Sequence, residues 1–337
     1  MQITNEAHAT SRKKLNLPPH PPRDPKGLFC GVCANNCKIG KGERGYCGLV
    51  ANIDGKIIRY GGLPQEAVLE WYYDPLPTNC VAWWFCPGCT GAGHPKYAYM
   101  QGPEVGRSNL AVFYGACSYD CLYCQNWHYR LNAARINPKM SAEELASKVT
   151  ANVSCICFFG GDPSPQMPHA LKTSENALEK AAGRILRICW ESNGYMKREY
   201  ASRAAELSLE SGGNIKFDLK SWDDCLNIAL CGVSNRPTLD NFEAIGRSFL
   251  EARVEIPLLT ASTLLIPGYI DEAEVYSIAS FIAEINPEIP YTLLGFYPHF
   301  VMSDLPTTER ERAYAYLEAA KRAGLSKVRI GNVHLLH

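Results

Sequence analysis

From about residue 107 to its end the sequence alternates between short runs rich in β-branched and aromatic residues and longer runs with helical spacing. The strand-like runs are "NLAVFYGA" (109–116), "CICFFGG" (155–161), "RILRICWES" (184–192), "NIKFDLK" (214–220), "VEIPLLTASTLLI" (254–266), "YTLLGFYP" (291–298) and "KVRIGN" (327–332). Between them lie "SAEELASKVTA", "SENALEKAA", "KREYASRAAELSLES", "TLDNFEAIGRSFLEA", "DEAEVYSIASFIAEI" and "TTERERAYAYLEAAKRAG". The first of these has Ser141 followed three residues later by Glu144, a capping box that starts a helix. Gly324 closes the last at a left-handed stop position.

Repeated strand–helix units make a parallel sheet with right-handed crossovers. The strand runs are apolar almost throughout, as strands covered on both faces are. Six β/α units and a seventh strand fall short of a closed eightfold ring. The pattern predicts an α/β fold, a partial (β/α)6 TIM-like barrel over residues 107–337, with a doubly wound sheet as the alternative. In either case the working site lies at the strand C-terminal ends. Conspicuous residues stand there: Cys117, Gly160-Gly161-Asp162, Glu191-Ser192-Asn193, Asp218 with Lys220, Pro267-Gly268 and His299.

Residues 28–106 differ. They are rich in Gly, Cys, Pro and Tyr and have little helical period, so a small Cys-rich N-terminal metal-binding module is expected, held by metal rather than by a core. Within it "ANIDGKIIRYGG" reads as a hairpin turning at Asp54-Gly55. Residues 1–27 lack the apolar stretch of a signal peptide and are expected to form a flexible N-terminal arm. Lys+Arg and Asp+Glu each number 34, so no basic footprint of a general nucleic-acid binder exists. No run of 18 apolar residues marks a membrane span, and a cytoplasmic location is expected.

In a reducing compartment, clustered cysteines are read as metal ligands before disulfides. Of fifteen cysteines, ten fall in three groups between Cys30 and Cys124. Cys30, Cys33, Cys37 and Cys47, amid Gly40, Gly42, Gly45 and Gly48, can close a tetrahedral zinc site or a second, fully ligated iron–sulfur cluster. Cys80, Cys86 and Cys89, flanked by Trp83, Trp84 and Phe85, are three further thiols that could complete or shield such a cluster. Cys155, Cys157, Cys189, Cys225 and Cys231 read as small buried apolar residues. Cys117, Cys121 and Cys124 follow the first strand as C-x3-C-x2-C. Three thiolates on a 4Fe–4S cubane leave one iron open to a ligand; the competing reading is a structural zinc completed by His128.

This motif, with Tyr123 directly before the third cysteine, resembles the signature of the radical S-adenosylmethionine (SAM) superfamily. "FFGGDPSPQ" resembles the superfamily's Gly-Gly-Glu-Pro element, with Asp162 in place of Glu; its backbone is expected to meet the methionine amine. "ESNG" and "FDLK" resemble the Asp-Thr-Asn-Gly and Asp-Leu-Lys elements of activating enzymes. "STLLIPGYID", "GFYPHFVMSDLPTT", "KVRIGNVHLL" and "CGVCANNCKIGKGERGYCG" extend the likeness, over residues 28–335, to AmmeMemoRadiSam-system enzymes, relatives of the pyruvate formate-lyase activating enzyme. The segment 74–106 is extra to that pattern.

The resemblance implies an anaerobic oxidoreductase with a 4Fe–4S cluster on Cys117, Cys121 and Cys124. SAM would be held by Tyr123, Gly160, Gly161, Asp162, Glu191, Ser192, Asn193, Asp218, Lys220, Pro267 and His299. Lys220 would pair with the methionine carboxylate, and Asp218 with Glu191 would hold a monovalent cation. An external electron donor of the ferredoxin or flavodoxin type is implied. So is a 5′-deoxyadenosyl radical acting on a substrate the sequence does not identify: a protein glycine, another protein or RNA group, or a metabolite. The alternative of a different class is a non-catalytic zinc-ribbon binding protein on a barrel scaffold.

Overall fold

All seven strand-like runs enter one sheet. The structure, a computed structural model, describes residues 2–249, 251–253 and 255–337. Val254 in the fifth strand-like run, Leu250 in the run "TLDNFEAIGRSFLEA" and Met1 of the N-terminal arm lie outside the described residues.

Helix α1 spans Gln2–Lys13. Two small antiparallel pairs follow, β1 (Leu28–Phe29) with β2 (Lys38–Ile39) and β3 (Val50–Ile53) with β4 (Lys56–Arg59). The β3–β4 turn is the expected one, with Asp54 at φ 48° and Gly55 at φ 79°, the left-handed pair a tight hairpin needs. Next come β5 (Ala67–Pro75), α2 (Pro87–Thr90), β6 (Ser108–Tyr114), α3 (Tyr129–Arg135), β7 (Lys139–Met140) and α4 (Ala142–Ala146). The rest of the chain alternates: β8 (Val153–Gly160), α5 (Met167–Ala181), β9 (Arg187–Ser192), α6 (Arg198–Ser211), β10 (Ile215–Asp218), α7 (Asp224–Cys231), α8 (Arg236–Phe249), β11 (Leu259–Leu265), α9 (Glu272–Ile285), β12 (Tyr291–Gly295), α10 (Arg310–Arg322) and β13 (Val328–Gly331). The capping box forms: Ser141 Oγ accepts the Glu144 N–H, and Glu144 accepts the Ser141 N–H at 2.8 Å.

The sheet has nine strands in the order β13-β12-β11-β10-β9-β8-β6-β5-β7. The seven from β6 to β13 run parallel, and β5 lies antiparallel to β6. The sheet ends at β13 and β7 without closing, so the barrel is partial. Strand alternation sorts the side chains. Ile156, Phe158, Ile188, Trp190 and Phe217 are wholly buried on the helix side, where Phe158 stacks on Trp190 at 4.6 Å and Phe217 meets Phe242 of α8. The intervening positions, Cys155, Cys157, Cys189, Glu191, Lys216 and Asp218, face the other way.

Two expectations are corrected. The N-terminal arm is not a flexible segment: residues 2–13 are helical, with His8 1% and Arg12 2% exposed. Its sequence hides this because the helix is held by buried charge contacts to a distant loop rather than by an apolar stripe. Nor is 28–106 a module apart from the barrel. Leu69–Pro75 of β5 pairs with Ser108–Tyr114 of β6, and Glu104 is ion-paired to Arg187 of β9 at 2.7 Å. Among the described residues no helix is long and apolar enough to cross a membrane.

Candidate active site

The loop that leaves β6 is pinned from two sides by three backbone hydrogen bonds. Asp120 N–H donates to Cys231 O (2.8 Å), Leu122 N–H to Leu230 O (3.0 Å), and Val301 N–H to Leu122 O (3.0 Å). The Asp120 side chain is the loop's buried anchor. It accepts Arg130 at 2.7 and 2.9 Å and contacts Arg12 at 3.2 Å and His8 at 2.9 Å. Burial pushes this carboxyl up, but the hydrogen bond from His8 and the two guanidinium groups outweigh it and hold it well below the usual range. An anchor of this kind fixes where Cys117, Cys121 and Cys124 stand. All three line one cavity at the strand C-terminal ends.

Gly160, Gly161 and Asp162 form one wall. At Gly160, φ is +108° and a Cβ would fall 2.3 Å from Tyr114 N; at Gly161 it would fall 2.2 Å from Ala116 O. Only glycine lets the two chain segments approach so closely. Asp162 is 3% exposed, and its carboxylate accepts Ser164 N–H (2.7 Å), Asn193 N–H (2.7 Å) and Ser192 Oγ–H (2.9 Å). Burial raises its pKa. Asn193 carries the link onward: its Nδ2 donates to Ser118 Oγ at 3.0 Å and lies 3.5 Å from Cys117 Sγ. Asp162, Ser192 and Asn193 thus brace the ends of β6, β8 and β9 against one another.

The opposite wall is charged. Lys216 Nζ sits between Glu191 Oε2 (2.7 Å) and Asp218 Oδ1 (3.2 Å), and Lys220 Nζ meets Asp218 Oδ2 at 2.9 Å. Ser262 Oγ–H donates to Asp218 Oδ1 at 2.6 Å. Burial works against the charge on Asp218, but Lys216 and Lys220 overcome it and keep the carboxyl well below its usual range. The expectation that Glu191 and Asp218 hold a monovalent cation is corrected here: the Lys216 ammonium occupies that place. Lys216 precedes Asp218 by two residues on one strand, the spacing that puts both on one face.

Tyr123 lines the cavity, with its ring 6.0 Å from Lys220 Nζ and its hydroxyl 3.4 Å from Cys231 Sγ. Pro267 and His299 are not among the lining residues; Ser262 and Leu264 supply the β11 end. Cys231, read as a plain apolar residue, lies with its thiol 3.6 Å from Cys121 Sγ. That hydrogen bond, with Lys220 and Arg130 nearby, outweighs burial and brings Cys121 down to about 7. Cys117 and Cys124 are pushed up by burial.

The donor set fits a cluster with one open iron. Three thiols of one short loop open on one cavity, and Lys220 and Arg130 beside Cys121 and Cys124 work toward thiolate there. His128, which a closed zinc site would need, instead stacks on Trp127 at 4.0 Å and does not line the cavity. Among the described residues, no three His, Cys, Asp or Glu side chains surround a position for a single metal ion.

Cys30, Cys33, Cys37 and Cys47 come within electrostatic reach of one another. Burial, then the neighbouring thiols, pushes Cys33 well up, and burial raises Cys47 to about 12. Cys80, Cys86 and Cys89 do not join them. They lie over β8 and β9, where the Cys86 and Cys89 thiols hydrogen-bond, Cys80 sits near Cys86 and Cys189, and Cys157 contacts Cys155 and Cys189. Strand alternation put those three β8–β9 cysteines on one face, a pattern visible in the sequence once the strands are fixed.

Residues 111–279 match the family model of the radical SAM superfamily. An uncharacterized protein of Methanocaldococcus jannaschii is 25% identical over 320 residues, covering 92% of this chain and 83% of its own. The isethionate sulfite-lyase activating enzyme of Oleidesulfovibrio alaskensis is 31% identical over 144 residues, 42% of each chain. Among solved structures, a radical SAM methyltransferase from Sphaerobacter thermophilus superposes with a TM-score of 0.50 at 16% identity, covering 68% of each chain, a likeness of fold.

Proposed function

This chain belongs to the radical SAM superfamily, and from that premise we propose that Cys117, Cys121 and Cys124 hold its 4Fe–4S cluster and that the cavity they share takes SAM. When bound, the pair supplies one chemistry: one-electron reductive cleavage of the sulfonium, giving methionine and a 5′-deoxyadenosyl radical for hydrogen abstraction. The chain's own residues do the rest. Gly160 and Gly161 present backbone groups, held in place by the Asp162 brace. Lys220, on the cavity wall beside Asp218, offers its ammonium to the methionine carboxylate. Tyr123 and the β11 end, Ser262 and Leu264, bound the space for the adenosine.

The observation that carries the reading is the convergence of three thiols, the glycine wall and Lys220 on a single cavity. The finer reading is an activating enzyme that takes a hydrogen atom from a protein glycine, served by an external ferredoxin- or flavodoxin-type donor; likeness to the isethionate sulfite-lyase activating enzyme supports it. A second, fully ligated cluster is the further reading for Cys30, Cys33, Cys37 and Cys47, supported by the electrostatic contact of Cys33 with the other three thiols; among the described residues no position for a single ion such as zinc is formed there.

The test is anaerobic reconstitution followed by dithionite and SAM. The wild-type protein should release 5′-deoxyadenosine. The Cys117/Cys121/Cys124 triple-Ala variant should lose about four irons per chain and all cleavage, while keeping whatever metal the N-terminal thiols hold. Full cleavage by the triple variant, or none by the wild type, would overturn the proposal.

A further inference from the structure

A second chamber, of about 500 Å³, opens on the same face of the sheet and shares Gln125, Phe159, Glu191, Lys216, Leu294 and Asn332 with the cofactor cavity. Its far wall is formed by β12, β13 and the segment 78–83. There Thr292 and Arg329 are cross-strand partners, and both line the chamber. Thr292 is 2% exposed, yet its hydroxyl has no hydrogen-bond partner. Buried hydroxyls are ordinarily satisfied, so this one is placed for an oxygen that a ligand would bring.

Arg329 points to the same ligand. Its guanidinium lies over the rings of Trp83 (4.4 Å) and Trp84 (5.8 Å), and among the described residues it makes no ion pair and no hydrogen bond. Stacking fixes the guanidinium plane and leaves its N–H edge free. The other cation lining the chamber, Lys216, is engaged by Glu191 and Asp218. The chamber's carboxylates are engaged as well, Glu191 by Lys216 and Asp74 by the Thr78 hydroxyl. An unpaired, permanently charged fork beside an orphaned hydroxyl, at the end of a space continuous with the radical site, is an arrangement for a planar or tetrahedral anion.

We propose that Arg329 and Thr292 bind a carboxylate or phosphate group of the substrate and so hold it with its reacting carbon toward the cofactor cavity. This rests on the radical SAM reading above, not on its protein-glycine form, in whose place it puts an anionic molecule as the substrate class.

The test uses the reconstituted holoenzyme with SAM present, titrated calorimetrically with succinate, inorganic phosphate and, as a neutral control, succinamide. One of the two anions should bind saturably and the control should not. Saturation by succinate identifies a carboxylate, and saturation by phosphate identifies a phosphate ester. Arg329→Gln should weaken that anion at least about tenfold, as loss of a charged hydrogen bond does. Arg329→Lys should recover part of the loss, and Thr292→Val should weaken binding by a smaller factor. Circular dichroism confirms that each variant is folded. No saturable anion binding, or equal binding by wild type and Arg329→Gln, overturns the proposal. Formation of 5′-deoxyadenosine by the same wild-type preparation tests the radical reading separately.

Discussion

Asp162 Oδ2 accepts the backbone N–H of Asn193 at 2.7 Å, and through that one oxygen the ends of β8 and β9 are held together. Replacing Asp162 by Ala strands two buried N–H groups, those of Ser164 and Asn193. Each orphaned donor costs about 1–3 kcal/mol. Asp162→Ala should therefore lower the free energy of unfolding by roughly 3 kcal/mol in urea titrations. It should also weaken SAM binding, because the glycine wall loses its brace. A variant as stable as wild type would show that the brace is redundant.

Lys216 separates two carboxylates. Removing its charge leaves Glu191 and Asp218 facing each other with only Lys220 to share, and breaking a buried pair in this way costs about 3–5 kcal/mol. Lys216→Ala also leaves room for a small cation. The melting temperature of that variant should rise more in potassium or sodium chloride than in tetramethylammonium chloride of equal ionic strength. Wild type should show no such preference. Identical curves in the three salts would rule out a cation-sized site between these groups.

The clamp on Asp120 links α1 to the cluster loop across more than a hundred residues. Arg12 also donates to Pro18 O at 2.6 Å and to Tyr46 O. Asp120 keeps Arg130 and His8 in Arg12→Ala, so the variant should lose about 1–3 kcal/mol of stability, the cost of the buried hydrogen bonds to Pro18 O and Tyr46 O left unmade. In the reconstituted protein, both Arg12→Ala and deletion of residues 2–13 should release iron to a chelator faster than wild type. Unchanged release would confine the clamp to general stability.

His169, buried with its Nδ1 2.9 Å from the Tyr114 hydroxyl, is pushed down to about 4 by burial. An unfolded histidine titrates near 6.5. The native state therefore binds fewer protons between these values, and stability falls as pH drops through that window. The loss should reach roughly 3 kcal/mol once pH is below about 4. Comparing wild type with His169→Gln at pH 7.5, 6, 5 and 4 isolates it; curves that stay parallel would assign the acid sensitivity elsewhere.

The barrel was legible because its signals are local. Seven apolar strand runs, the Ser141–Glu144 box and the Asp54-Gly55 turn each carry their conformation within a few residues. The three cysteines and their strand-end partners were legible because each sits where a parallel strand ends. What the sequence concealed depends on partners far along the chain. Asp120 is a plain acid until His8, Arg12 and Arg130 surround it. Cys231 is a plain apolar residue until α7 ends against Cys121. Lys216 looked like part of a strand because its two carboxylate neighbours come from β9 and from its own strand's end. Pro267 and His299 were placed at the site by adjacency to strand ends, which gives the level along the barrel axis but not the direction a loop turns.

The pairing of β5 with β6 separates the stretch shared across the superfamily from the unit that folds. Residues 111–279 carry the family likeness, yet β6 at their start needs β5 along one edge, Arg187 needs Glu104, and Asp120 needs the first helix. At the other end β11 needs β12. A polypeptide cut to the shared segment would expose two sheet edges and two buried charges at once. The segments outside it are thus obligatory parts of the folded unit, and the chamber wall built from β12, β13 and residues 78–83 lies wholly within those added parts. Chains that share the radical-generating segment can therefore differ in substrate by exchanging what surrounds it.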